Sequence, residues 1–233
     1  MRSLEDIIKG FEIERMQNRV DVDDDFEEKL LDKYGSCTYS YKGVSATLLI
    51  ITDTHNCLIY DKEWPTFIKN AEYDICLLLG DLSSNDVYEI LKYVPTNKIY
   101  TLLGNHDPLN RFEEYGLESL HGKVIEVNGI KIAGFQGTFK YKNSDSALYT
   151  HEESIQIADY MPKADILVSH DRPFIKDTGD NTHDGLKGIT EYVYKNNIPI
   201  EIHGHIHEEN QEELKNGTQV ICKYKYDLIK ITL

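Results

Sequence analysis

Lys98-Ile99-Tyr100-Thr101-Leu102-Leu103 runs directly into Gly104-Asn105-His106-Asp107. An apolar, strand-like segment ends in a glycine, and a packet of polar, metal-competent side chains follows at once. The plan recurs at four other places: residues 47–52 into Asp53-Thr54-His55, residues 75–79 into Gly80-Asp81, residues 166–169 into His170, and residues 200–202 into His203-Gly204-His205-Ile206-His207. Five apolar strands that each deliver Asp, Asn or His at their carboxyl end predict one shared ligand edge, because open α/β sheets bind ligands there.

Outward from these strands, the segments between them read as helices: residues 64–72 with Pro65 in the first turn, 84–93 capped by Ser83 or Ser84, and a short one at 108–115 closed by Gly116. Residues 124–127 and 130–133 flank Asn128-Gly129, a hairpin signal because both turn residues tolerate positive φ. Helices at 152–160 and 186–195, a loop at 171–184, and two closing β segments at 218–224 and 227–232 complete the chain. The tail is expected to join the hairpin in a second sheet. Strand–helix alternation followed by hairpins predicts an α/β fold, a four-layer α/β/β/α sandwich spanning 45–233. Residues 1–44 read as an N-terminal helical extension. Leu4, Ile7, Ile8, Phe11 and Met16 approximate one helical face, the acidic residues 21–25 follow, and Asp25 is placed to cap a second helix at 26–34 that Gly35 ends.

A chain of 233 residues fits one α/β domain and can bury a core without disulfides. Its 40 acidic against 25 basic residues, a net charge of −15, argue against duplex nucleic acid as a partner. Cys37, Cys57, Cys76 and Cys222 show no Cys-x-x-Cys spacing, so free thiols in a reducing compartment are expected, Cys57 as an ordinary buried thiol. No apolar leader and no run near the roughly 18 residues of a membrane span is present, which predicts a cytoplasmic protein with no membrane partner. Self-association into a homo-oligomer is compatible with this composition.

Asp53 and His55 lie two apart, so on an extended strand end their side chains point the same way, and His205 and His207 share that spacing. Asp81, Asn105 and His170 add one ligand each. Seven donors exceed the needs of one tetrahedral ion and suit two five- or six-coordinate ions. A carboxylate bridges two cations more readily than an amide does, which makes Asp81 the expected bridge. Mixed nitrogen and oxygen donors without thiolate favour manganese, with iron, zinc or nickel as alternatives. Ions about 3.5–4 Å apart can hold a hydroxide between them and clamp phosphoryl oxygens. Each motif alone is weak, and the ordered set carries the signal.

The series Asp-x-His, Gly-Asp, Gly-Asn-His-Asp, His, Gly-His-x-His across residues 48–207 resembles the calcineurin-like metallophosphoesterase superfamily, particularly its small phosphodiesterase branch. The resemblance implies one metal on Asp53, His55, Asp81 and His207, and a second on Asp81, Asn105, His170 and His205. It also implies a non-ligand, catalytic role for His106, contacting the phosphate and protonating the leaving oxygen, with Asp107 orienting it or capping the next helix. The implied activity is hydrolysis of small phosphodiesters, nucleotide or cyclic-nucleotide-like, by a metal-bridging hydroxide. A phosphomonoesterase or protein phosphatase is the alternative, and a nuclease or a non-catalytic scaffold of the same fold stand further off. Leu82-Ser83-Ser84 lacks the acidic and arginine residues found there in protein Ser/Thr phosphatases. Arg172, directly after the His170 box, can grip a phosphate or form a structural salt bridge. His183 can line the substrate cleft or face solvent, and His203 is expected to support the site from the strand.

Overall fold

In strand β1 (Ser45–Thr52) alternate residues face opposite ways. Ala46, Leu48 and Ile50 enter one core and Leu49 and Ile51 another, all nearly inaccessible to solvent. Burial on both faces is why the sequence reads as a continuous apolar run rather than an alternating one. The computed structural model describes residues 25–180 and 182–233. The expected first helix around Leu4 to Met16 and acidic residues 21–24 therefore lie outside the described residues.

β1 pairs in parallel with β2 (Ile75–Leu78), which leads through β3 (Ile99–Thr101) to β4 (Glu118–Ser119). A second sheet has β5 (Val124–Val127), β6 (Ile130–Phe135), β9 (Ile166–Ser169), β10 (Ile200–His203), β12 (Gln219–Cys222) and β11 (Asn210–Glu213) side by side. Its β6, β9, β10 and β12 are parallel. A two-stranded ribbon of β7 (Thr138–Phe139) and β8 (Leu148–Tyr149) stands apart. Leu48, Ile50, Leu77 and Leu79 from the first sheet meet Ile132, Ile166, Val168 and Ile202 from the second. Outside the first sheet pack helices α2 (Trp64–Asn70) and α3 (Ser84–Leu91), through Trp64, Ile68, Val87 and Ile90. Outside the second pack α1 (Phe26–Tyr34), α4 (His151–Tyr160) and α5 (Lys187–Asn196), through Leu30, Ala158, Ile189 and Val193. The four expected layers are all present.

The hairpin turns at Asn128 and Gly129, both at positive φ, as expected. Ser83 with Asp86 and Thr150 with Glu153 form capping boxes at α3 and α4. Asp86 also accepts the backbone N–H groups of Asn56 and Leu58 at 2.6 and 3.0 Å, fixing the turn that follows β1.

Several local expectations need correction. The tail divides between the sheets: β12 joins the hairpin's sheet, whereas β13 (Lys225–Thr232) crosses back antiparallel to β1, from Ser45 opposite Thr232 to Thr52 opposite Lys225. Lys225, at φ 62°, makes the corner, and pairing along all of β1 outweighs staying beside β12. Residues 108–115 form turns and one 3-10 turn, Glu113–Tyr115, not an α-helix. Asp25 makes no side-chain cap and pairs with Lys29 at 2.7 Å instead. Cys57 is exposed, because the chain leaves the sheet at Thr52 and turns outward, while Cys76 and Cys222 are buried.

Glu201 of β10 is fully buried, with one oxygen accepting from Ser169 Oγ and the other without a partner. Burial raises its pKa well above 4.5. The unfolded carboxyl ionises first, so this group makes the fold lose stability as pH rises from 4.5 toward the folded value. Glu201→Gln is expected to remove that loss, gaining stability at pH 7 relative to pH 4 when urea midpoints are compared. Leu77→Ala, emptying the inter-sheet core, is expected to cost about 2–5 kcal/mol in the same urea titrations.

Candidate metal centre

The strands end at or within two residues of the polar packets. Past those ends Asp53, His55, Asp81, His205 and His207 all take left-handed backbone, with φ of 52, 43, 56, 65 and 58°. Strand alternation therefore does not aim Asp53 with His55 or His205 with His207, contrary to the expectation from spacing. Left-handed turns do. Such a conformation costs on the order of 1–3 kcal/mol for each non-glycine residue and persists only where surroundings enforce it.

The enforcing contacts are explicit. Asp107 accepts the backbone N–H groups of Asp81, Leu82 and Gly104 at 2.7, 3.2 and 2.9 Å. Asp81 Oδ1 accepts the N–H of His106 at 2.8 Å, and Asp53 Oδ2 accepts that of His205 at 2.8 Å. Close approach requires two of the motif glycines. A Cβ on Gly104 would lie 2.1 Å from Asp81 Oδ1, and one on Gly204 would lie 2.1 Å from Thr52 Oγ1 and 2.4 Å from Asp53 Oδ2.

Each carboxylate thus spends one oxygen on backbone and presents the other. Asp53 Oδ1 and Asp81 Oδ2 are buried without a hydrogen-bond partner. Around them, donor atoms of Asp53, His55, Asp81 and His207 lie within 4.8 Å of one another, and those of Asp81, His170 and His205 form a second such group. Asp81 belongs to both. In the first, His55 Nε2 stands 3.1 Å from His207 Nε2 and 3.7 Å from Asp81 Oδ2, and His207 Nε2 stands 3.3 Å from Asp53 Oδ1. In the second, His170 Nε2 is 3.8 Å from Asp81 Oδ2 and 3.1 Å from Asn105 Oδ1, which brings the amide in.

Carbonyls behind the rings select their tautomers. His170 Nδ1 donates to Leu79 O at 2.7 Å and His205 Nε2 to Thr182 O at 2.8 Å, turning the opposite nitrogens toward the donor groups. Burial lowers the His170 pKa, but Asp81 and Asp53 outweigh it and raise it above 6.5. Burial and the charge of His170 lower the His205 pKa to about 3. Burial pushes the Asp53 carboxyl up, but the His207 imidazole 3.3 Å from Oδ1 and the His170 charge prevail and hold it at about 2. Imidazole nitrogens, two carboxylate oxygens and an amide oxygen, converging in two groups that share Asp81, form a donor set that fits divalent cations.

His106 sits beside this set, exposed, its ring 5.4 Å from that of His55. Burial of the ring, with the charges of Lys142 and His55, lowers its pKa below 6.5 despite Asp81. Asp107 neither orients that imidazole nor caps a helix. Its carboxylate is used on three backbone amides. The Arg172 guanidinium pairs with Glu212 and is not in either donor group. His183 pairs with Asp180 at 2.7 Å and lies 5.1 Å, ring to ring, from His205. His203 is buried, its Nδ1 2.9 Å from Gly204 O. Sequence reading missed Tyr141, whose hydroxyl accepts from Asn105 Nδ2 at 2.7 Å. It lies 36 residues downstream in a loop without a motif, so no local signal marks it.

The model of the calcineurin-like phosphoesterases matches residues 46–209, which contain every residue of both groups. The chain belongs to that family. Its members use divalent metals, and family membership indicates hydrolase chemistry on phosphoesters. An uncharacterized protein of Haemophilus influenzae is 26% identical over 198 residues, which make up 69% of this chain and 83% of that one. TT1561 of Thermus thermophilus shares the fold at a TM-score of 0.52 and 13% identity, over 80% of this chain and 98% of its own. The phosphopantetheinyl hydrolase of Mycobacterium tuberculosis does so at 0.51 and 13%, over 79% and 91%. Among the described residues no helix is long and apolar enough to cross a membrane.

Asp81→Asn is expected to lower occupancy of both ions, measured as metal per protein after dialysis, because one carboxylate serves both groups. Loss of a single equivalent would make Asp81 a terminal ligand. Gly104→Ala should lower metal content similarly, by displacing the same carboxylate.

Proposed function

We propose that this protein hydrolyses small phosphodiesters, of nucleotide or cyclic-nucleotide size, at two divalent cations, manganese first. The observation that supports this reading is the sharing of Asp81 between two convergent donor groups beside an exposed imidazole. Asp53, His55, Asp81 and His207 would hold one ion, and Asp81, Asn105, His170 and His205 the other. When bound, such ions supply a water of lowered pKa and neutralise charge on the phosphoryl oxygens.

His106 is assigned the leaving side. A P–O bond forms to a water oxygen, the ester P–O bond breaks, and the departing alkoxide takes its proton from the His106 imidazolium. The N–H bond to Asp81 Oδ1 keeps that residue in register with the donor groups.

Charge favours the diester over the monoester. Both arginines of the described residues are engaged, Arg172 with Glu212 and Arg111 with Ser84 Oγ at 2.6 Å and Asp107 at 3.6 Å. A diester carries one negative charge on its phosphoryl oxygens where a monoester carries up to two. A cytoplasmic setting suits four unpaired thiols.

The test compares bis-(p-nitrophenyl) phosphate with p-nitrophenyl phosphate, using protein stripped of metal and reloaded separately with Mn, Ni, Zn or Mg. Metal-dependent cleavage of the diester, with little of the monoester, is expected. Monoester preference would make it a phosphatase, and two bound metals with neither ester cleaved would end the reading for simple esters. His106→Ala should retain its metals yet lose about 10²–10⁴-fold in turnover.

A further inference from the structure

Beyond the seven donors and His106, one pair of side chains enters the site from the ribbon. Tyr141 and Lys142 follow β7, in the loop that returns to β8. The Tyr141 hydroxyl accepts from Asn105 Nδ2 at 2.7 Å, with Asn105 Oδ1 turned toward His170. That leaves the hydroxyl proton free to be donated elsewhere. Lys142 Nζ sits 5.0 Å above the centre of the Tyr141 ring. Among the described residues no carboxylate pairs with it, in a chain carrying 40 acidic residues, whereas many other lysines have one. Its charge is felt at His106.

An unpaired ammonium held over an aromatic ring, next to a hydroxyl with a spare proton and close to the imidazole, is complementary to an anion. We propose that Tyr141 and Lys142 clamp a non-bridging oxygen of the substrate's phosphate, Lys142 by its charge and Tyr141 by its hydroxyl. This rests on the phosphoesterase reading of the same site. It adds a determinant from outside the strand-end motifs, on the loop between β7 and β8. Tyr141 has a second, positioning role. It holds the Asn105 amide with the oxygen inward.

The test is inorganic phosphate binding to the manganese-loaded protein, by isothermal titration calorimetry, beside steady-state kinetics on bis-(p-nitrophenyl) phosphate. Lys142→Ala should weaken phosphate about tenfold or more, the scale of a lost charge-assisted hydrogen bond, and raise KM more than it lowers kcat. Lys142→Arg should keep most of the affinity, and both variants should retain full metal content. Tyr141→Phe keeps the ring under Lys142 but orphans the Asn105 amide, so it should lower manganese affinity as well. Phosphate affinity unchanged in Lys142→Ala overturns the clamp, as does failure of the wild type to bind phosphate at all. If the wild type binds phosphate but cleaves neither ester, the phosphodiesterase reading falls. The Lys142 comparison then still decides the clamp.

Discussion

The Asp107 carboxylate, buried and accepting three backbone amides from Asp81, Leu82 and Gly104, is the joint on which the site depends. It binds the turn after β2 to the turn after β3. Without it, Asp81 would have no reason to remain at positive φ, where its carboxylate reaches both donor groups. Burial raises the pKa of Asp107 to about 6, against the pull of those amides. That is the opposing cost of placing a carboxylate where only amides can satisfy it.

The same logic extends across the edge where the two sheets meet. Carboxylates and imidazoles are brought together at a density that water would ordinarily prevent. Backbone carbonyls at Leu79 and Thr182 take the ring protons, and backbone amides occupy one oxygen of each acid. What remains is a cluster of lone pairs with net negative charge. Cations bound there would offset the repulsion between the acids and so would link metal binding to stability. The left-handed turns are where that tension is held, since five donor residues share them.

Function is placed by the layers rather than by any one of them. Parallel strands of both sheets point their carboxyl ends at one edge, and two apolar outer cores fix the strands against helices. The loop between β7 and β8 brings Tyr141 and Lys142 to the site, Tyr141 bonding Asn105, and the Thr182 carbonyl reaches His205.

Recurrence of an apolar run followed by Asp, Asn or His made the sandwich and both sheets' central strands legible from sequence alone, along with the residues that the fold gathers at one edge. Buried parallel strands read as continuously apolar, and imidazole, carboxylate and amide side chains placed directly after them stand out against that background. The hairpin was legible because Asn128-Gly129 suits positive φ. Tertiary structure decided the rest. It sent β13 back to β1, exposed Cys57, gave Arg172 to Glu212 and turned Asp107 from a helix cap into a brace between two loops. It also showed that the donor pairs are aimed by left-handed turns, which spacing does not reveal. The reason is common to all of these. Side-chain type and period are local properties, whereas pairing partners, exposure and backbone strain are set by residues tens of positions away, competing for the same groups.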